Sequence, residues 1–260
     1  FFKSLLNAYS TQLEGNKRGD ILNIIRSFIK IDTKTFKTVL NSKGNTSFKL
    51  EDITKVNKIN HKAHDAMGDV IATIELAKII KNKNSNFWEN NLKCCSKIDV
   101  KSFIMSNNLL SLNEFFFGKI KTSLVTYICM HPHYDYPQCY DLTIDPKDIL
   151  ELSYGNLKKR FKEQPKFLKS INHSKHPSIF DMNYYFGLTN SYNDRELYEK
   201  RSNLIKSNPE FLEKINLILN EEYNDFENLK SQADILAEES LYIGGFPSYK
   251  DKLLMEDFHH

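Results

Sequence analysis

The apolar residues of this chain change their spacing along its length, and that change limits the fold more than any other feature. Near the start, Ile21, Ile24, Ile25, Phe28 and Ile29 recur at the three-to-four residue interval that puts an apolar stripe along a helix. Between about Ser111 and Ile144 the pattern becomes β-branched and aromatic, with Leu124, Thr126, Ile128 and Met130 alternating with Val125, Tyr127 and Cys129. Helical spacing first and mixed α and β character after residue 85 argue for a second domain of α+β type.

Local punctuation sharpens the outline. Asp20 is placed to cap the first helix. Lys34 to Ser47, with Lys43-Gly44-Asn45, reads as a loop before a short helix carrying Leu50, Ile53 and Val56. A third helix is expected from about Ala66 to Ile80, starting at Asp65, with Val70, Ile74, Ala77 and Ile80 on one face. The polar run Lys81 to Ser85 then marks a domain boundary. Beyond it two strands are predicted up to Ile144, with His131 to Pro137 as the turn between them. Asp145-Pro146 opens a helix, Lys166 to Ile171 is a further strand, and the last long helices cover Asp194 to Lys206 and Pro209 to Tyr223.

Composition excludes more than it selects. Lys and Arg number 36 against 33 Asp and Glu, and a net charge of +3 does not by itself argue for a nucleic-acid partner. No apolar run approaches the roughly 20 residues of a membrane-spanning helix, and no secretory signal is visible. Cys94, Cys95, Cys129 and Cys139 form no C-x-x-C pair, which disfavours zinc and fits free thiols in a reducing cytoplasm. The start at Phe1-Phe2-Lys3 and the end at His259-His260 read as an internal piece of a longer protein.

The sharpest local signal is His64-Asp65-Ala66-Met67-Gly68-Asp69. Five residues turn a regular helix about 140° beyond a full turn, so both side chains reach one site only if His64 sits in the approach loop. With Asp65 as cap, Asp69 in the first turns and His64 before them, the arrangement suits metal-assisted phosphodiester hydrolysis. The carboxylate holds a divalent ion while the His takes a proton from the attacking water. The bland alternative makes His64 an ordinary residue before a helix and Asp69 a solvated acid favoured by the helix dipole. Asp225-Phe226-Glu227 has the spacing of a second acidic pair, but it follows the motif and a helix, and is read as coincidence.

The run Ser47 to Asn57, then His61, then Ala63 through Lys78, resembles the third motif block of the bacterial exodeoxyribonuclease I family, DEDDh exonucleases with an RNase H-like fold. Looser landmarks continue in the family's order: Ile98-Asp99-Val100, Phe117-Gly118, His131-Pro132, Asp141-Leu142, Leu150-Glu151-Leu152, Ile171-Asn172 before His176-Pro177, and Glu239-Ser240-Leu241-Tyr242 with Gly245-Phe246. The resemblance implies an α/β part at residues 1–84, the C-terminal part of an RNase H-like exonuclease domain. An α+β SH3-like domain at 85–240 and the start of a C-terminal helical domain at 241–260 complete it.

The resemblance further implies metal-dependent 3′ to 5′ hydrolysis of single-stranded DNA in repair and recombination, with Mg2+ or Mn2+. It implies a cytoplasmic monomer that engages single-stranded DNA and single-stranded DNA-binding protein. His64 becomes the catalytic base and Asp69 a metal ligand. The family's Asp-x-Glu pair and middle Asp would lie upstream of residue 1, so the chain alone is expected to show little or no nuclease activity. Lys49 matches a family position near the active site where Arg is usual; Lys keeps the charge and loses the bidentate fork.

For the DNA track, Phe115, Phe116, Lys119, Lys121 and the His131 to Tyr134 turn carry the right chemistry, basic groups beside aromatic platforms. Phe115 to Phe117 as core, with the lysines merely solvated, is the competing account. Two other readings of the whole chain stay open: another DEDDh nuclease, which would lack so long a following segment, and a non-catalytic single-stranded DNA-binding remnant.

Overall fold

The computed structural model describes residues 19–61, 65–116, 119–232 and 250. The expected first helix is α1 (Ile21–Ile31), and the Asp20 carboxylate caps it by accepting from the Leu22 amide at 2.9 Å. Its stripe buries Ile24, Ile25 and Phe28. The loop that follows turns at Gly44, whose φ of 74° lies where glycine avoids the Cβ penalty. The short helix α2 (Leu50–Val56) comes next, as predicted.

Helix α3 (Ala66–Lys83) begins where Asp65 accepts from the Gly68 amide at 2.9 Å. Two expectations about it need correction. It runs past Ile80 to Lys83, because Lys81 and Lys83 in the last turn suit the negative end of the helix. Asn84 then ends it and also caps α4 (Ser85–Lys93), accepting from the Phe87 amide at 2.9 Å. Its buried residues are Ala72, Leu76 and Ile80, whereas Val70 and Ile74 are 52% and 47% exposed. The helix is apolar on more than one side, and periodicity alone does not choose which stripe meets the core.

After α5 (Lys97–Ser106), strands β1 (Leu110–Phe116), β2 (Lys119–Met130), β3 (Pro137–Asp141), β4 (Leu168–Ser170) and β5 (Ser178–Asp181) pair antiparallel in the order β4-β3-β2-β1-β5. The fold is mixed α and β with one antiparallel sheet. Three strands, and not two, occupy the stretch up to Ile144. The missed strand β1 carries buried Ser111 and Asn113, which break the apolar signal but find partners; Ser111 Oγ donates to the Asp181 carbonyl at 2.8 Å. The helices α6 (Lys147–Leu150), α7 (Tyr154–Lys162), α8 (Met182–Thr189), α9 (Arg195–Lys206) and α10 (Pro209–Gln232) complete the described chain, α10 extending well past Tyr223. None of the described helices is long and apolar enough to cross a membrane.

Contacts divide the chain into two units, Phe1–Ile218 and Leu219–His260. Within the first, one core sets Leu110, Leu112, Val125 and Ile179 of the sheet against Val100 and Ile104 of α5. A second core crosses the polar run at 81–85. Phe28 meets Phe87 at 5.3 Å, Phe87 stacks on Phe180 at 5.2 Å, and Phe180 stacks on Tyr184 at 4.1 Å. Beside it Asn113 Nδ2 donates to Ser27 Oγ and to Tyr184 Oη, each at 3.0 Å, tying α1 to the sheet through buried polar groups.

The four cysteines are free; burial pushes the thiol of Cys94 up to about 12 and that of Cys129 up to about 11, so both stay protonated at neutral pH. His176 is buried, and its Nδ1 accepts from the Asp20 amide at 2.5 Å, which an Nδ1 proton would forbid. Burial holds its pKa below the ordinary 6.5, although Asp20 opposes the shift. Between 6.5 and the lower folded value the unfolded chain binds the extra proton, so stability is fullest above pH 6.5 and falls as the pH drops through that window. Denaturation curves from about pH 8 to about pH 5 should show this fall. His176→Asn should shrink it in part, because His131 is shifted in the same direction by burial and by His133.

Candidate active site and nucleic-acid surface

The expected base, His64, lies outside the described residues, as does Phe117. Asp69 is described, in the opening turns of α3, where its amide donates to the Asp65 carbonyl at 2.9 Å. Its carboxylate is 48% exposed, and Oδ1 lies 2.6 Å from Nε2 of His61. The His61 ring is buried, with Nδ1 2.9 Å from Thr54 Oγ1 of α2.

That hydroxyl also reaches the Leu50 carbonyl at 2.8 Å and the Glu51 carbonyl at 3.1 Å. If its proton stays on those carbonyls, His61 donates from both nitrogens and is an imidazolium; if it turns to Nδ1, the ring is neutral. In both states Nε2–H donates to Asp69. One carboxylate oxygen is therefore held, and the other makes no hydrogen bond among the described residues. His61 stands in the matching block but was given no role from sequence. Its separation of eight residues from Asp69 across a loop follows no helical or strand period, so only the packing of α2 beside α3 reveals the pair.

Whether this arrangement holds a metal depends on its donors. Among the described residues Asp69 supplies one carboxylate oxygen that makes no hydrogen bond, and no group of three or more His, Cys, Asp or Glu is placed to hold an ion. They fit one ligand of a divalent cation and do not make a complete site, since two-metal phosphoryl chemistry needs several carboxylates. Asp225 and Glu227 do not fill the gap. They sit two positions apart on α10, about 200° apart around its axis, and face different ways.

The DNA candidates fall into a clearer pattern. Lys49 precedes α2 with its side chain 74% exposed and Nζ 3.6 Å from Glu51, a surface pair weak enough to yield to another anion. Its neighbour Phe48 has its ring centroid 5.5 Å from the Arg26 guanidinium, and the same guanidinium lies 4.9 Å from the Phe115 ring. Arg26 thereby links the residue pair before α2 to Phe115 near the end of β1, on the strand face opposite to Phe116.

In the β1–β2 register Phe116 pairs with Lys119 and Glu114 with Lys121, so these four share one face of the hairpin. Phe116 is 52% exposed, and Lys119 and Lys121 are exposed beside it. Of the phenylalanines read alternatively as core, Phe115 is half-buried and Phe116 is not. His131 and Tyr134, with rings 4.8 Å apart, lie at the other end of β2.

No protein-family model matches the chain. Exodeoxyribonuclease I of Buchnera aphidicola subsp. Acyrthosiphon pisum (strain APS) is 36% identical over 110 residues, 42% of this chain and 27% of the relative. Exodeoxyribonuclease I of Escherichia coli (strain K12) is 30% identical over 170 residues, 62% of this chain and 35% of the relative. Among solved structures, E. coli exonuclease I in complex with a dT13 oligonucleotide superposes with a TM-score of 0.70 at 24% identity, covering 95% of this chain and 55% of that one. An ExoI/SSB-Ct complex gives 0.68 at 22% identity, covering 95% and 53%. At these identities the superpositions speak for the fold. In sequence and in fold this chain is similar to exodeoxyribonuclease I, and it spans about half the length of the solved structures it matches.

Proposed function

We propose that the chain is part of an exodeoxyribonuclease I that removes nucleotides from the 3′ end of single-stranded DNA with Mg2+ or Mn2+. In this reading Asp69 is one metal ligand and His64 the general base. The observation that carries it is the half-exposed Asp69 carboxylate at the start of α3, one oxygen held by His61 and the other without a hydrogen bond among the described residues. A bound divalent ion would neutralise the scissile phosphate and acidify the attacking water. What the described residues contribute is an oriented carboxylate, Asp69, held by His61. Residues 1–84 would close an RNase H-like exonuclease domain, 85–240 would form an SH3-like domain, and 241–260 would open a helical one.

Lys49, Phe116, Lys119 and Lys121 would meet the strand. The shared face of the hairpin supports Phe116, Lys119 and Lys121 as one track, and the exposed Lys49 side chain supports a separate phosphate contact. The dT13 and SSB-Ct complexes of the similar structures support single-stranded DNA and single-stranded DNA-binding protein as partners. In this reading the protein is a cytoplasmic monomer acting in DNA repair.

The test is release of nucleotides from 3′-labelled single-stranded DNA by the full reading frame with Mg2+. His64→Ala should slow release at least about 100-fold, the lower range for loss of a general base. The chain by itself should release little, because its described residues offer one metal ligand. DNA binding without hydrolysis by the full reading frame would replace this reading with that of a non-catalytic single-stranded DNA-binding protein. Metal-dependent degradation by the chain alone would overturn the ligand count.

A further inference from the structure

Beside the exposed face of the β1–β2 hairpin lies a pocket whose other wall is the segment leading into β4. Its lining includes Glu114, Phe116, Lys121, Gln164, Lys166 and Lys169. Three of its lining residues, Glu114, Lys121 and Lys169, belong to an ion network centred on Asp141 behind the lining. Asp141 is fully buried; its carboxylate accepts from Ser123 Oγ at 2.9 Å, from the Thr143 amide at 3.1 Å and from Thr143 Oγ1 at 2.6 Å. The same carboxylate has Lys121 Nζ at 3.5 Å and Lys169 Nζ at 4.0 Å. The Lys169 side chain is 9% exposed, and its Nζ donates to Glu114 at 2.6 Å.

Burying the charges of Asp141 and Lys169 is costly even when they are paired, and apolar residues of similar volume would fill a sheet face at no such cost. What the network supplies is a Lys121 ammonium, 48% exposed, that is held in place at the pocket wall. Most surface lysines have no such anchor. Opposite it, Lys166 Nζ donates to the Phe161 carbonyl at 2.5 Å and stands 5.7 Å from the Phe161 ring centroid, so neutral partners fix it. Lys121, Lys166 and Lys169 against Glu114 and Asp141 leave an excess of one positive charge, and it resides on Lys166. On the rim Phe116 offers a half-exposed ring on the strand face it shares with Lys121.

One uncompensated cation, one oriented ammonium and one open aromatic ring match a group that carries a single negative charge beside a flat ring. We infer that this pocket is a subsite for one nucleotide of a single strand, its base on Phe116 and its phosphodiester between Lys121 and Lys166. The inference rests on the single-stranded DNA reading above and adds to it a place, a stoichiometry of one nucleotide and a role for Lys166.

The experiment is fluorescence anisotropy of the chain with labelled oligo-dT and with an abasic oligomer of equal length. Phe116→Ala should weaken oligo-dT binding about tenfold and leave the abasic oligomer unchanged, since only a base can stack. Lys166→Ala should weaken both alike and lower the slope of log affinity against log salt by about 0.7, one single-strand phosphate contact. Glu114→Gln should tighten both, because it adds to the positive excess; a purely structural Glu114 would move affinity the other way. If wild type binds oligo-dT and these variants bind as it does, the subsite is overturned while the DNA reading stands. If wild type binds no single-stranded DNA, both fall. Equal loss of both oligomers in Phe116→Ala overturns stacking. Photocrosslinking of 5-iododeoxyuridine oligomers to the unaltered chain is independent of how the variants fold: adducts at Phe116 support the subsite, and adducts confined to other regions overturn it.

Discussion

Phe28→Ala is expected to lower the unfolding free energy by about 3–5 kcal/mol, the range for removing a fully buried phenylalanine. Phe28 is completely buried, edge-on to Phe36 at 5.8 Å and to Phe87 at 5.3 Å. Deleting its ring leaves a cavity between α1 and α4 that neither helix fills, since each is held at its start by a side-chain cap. The consequence reaches past the helices. Because Phe87 stacks on Phe180 of β5, the core on one side of the polar run at 81–85 is continuous with the sheet on the other. A single denaturation transition, shifted as a whole by Phe28→Ala, is the expected record. Two transitions with only the earlier one shifted would mean that the helices before residue 84 and the sheet after it are energetically separate.

Asp141→Ala should cost about 3 kcal/mol or more, in the range for breaking a buried ion pair from one side. The carboxylate balances Lys121 and Lys169 and takes three hydrogen bonds from Ser123 and Thr143. Its loss leaves Lys169 with Glu114 alone and strips a buried acceptor from two hydroxyls and an amide. Asp141→Asn preserves the shape and part of the hydrogen bonding, so its cost should be smaller. Equilibrium unfolding in urea gives both values, and equal costs for Ala and Asn would show that the charge is what the site requires.

How much of this could be read from the residues in order depends on the reach of each interaction. Asp20 and Asp65 cap helices within three positions of themselves, and those helices begin where the sequence places them. The strand β2 and the turn after it follow from alternation and from His131 to Pro137. Recognition of the nuclease-like block needed only the contiguous run around His64 and Asp69, and the similarity to exodeoxyribonuclease I agrees with it.

Other features join positions that no local period connects. Asp69 is held by His61, Glu114 by Lys169 across 55 residues, and Phe28 is linked through Phe87 to Phe180. The polar strand β1 shows the limit from the other side. Ser111 and Asn113 look unlike strand core until Asp181, Ser27 and Tyr184 supply their hydrogen bonds. Sequence by itself determined where α1 and α3 start, the alternation of β2 and the likeness to exodeoxyribonuclease I, because those signals act within a few residues or along one contiguous run. Tertiary structure alone decided which stripe of α3 is buried, what holds Asp69 and where lysines become anchored cations, because apolar faces and charges choose among distant partners by packing and burial.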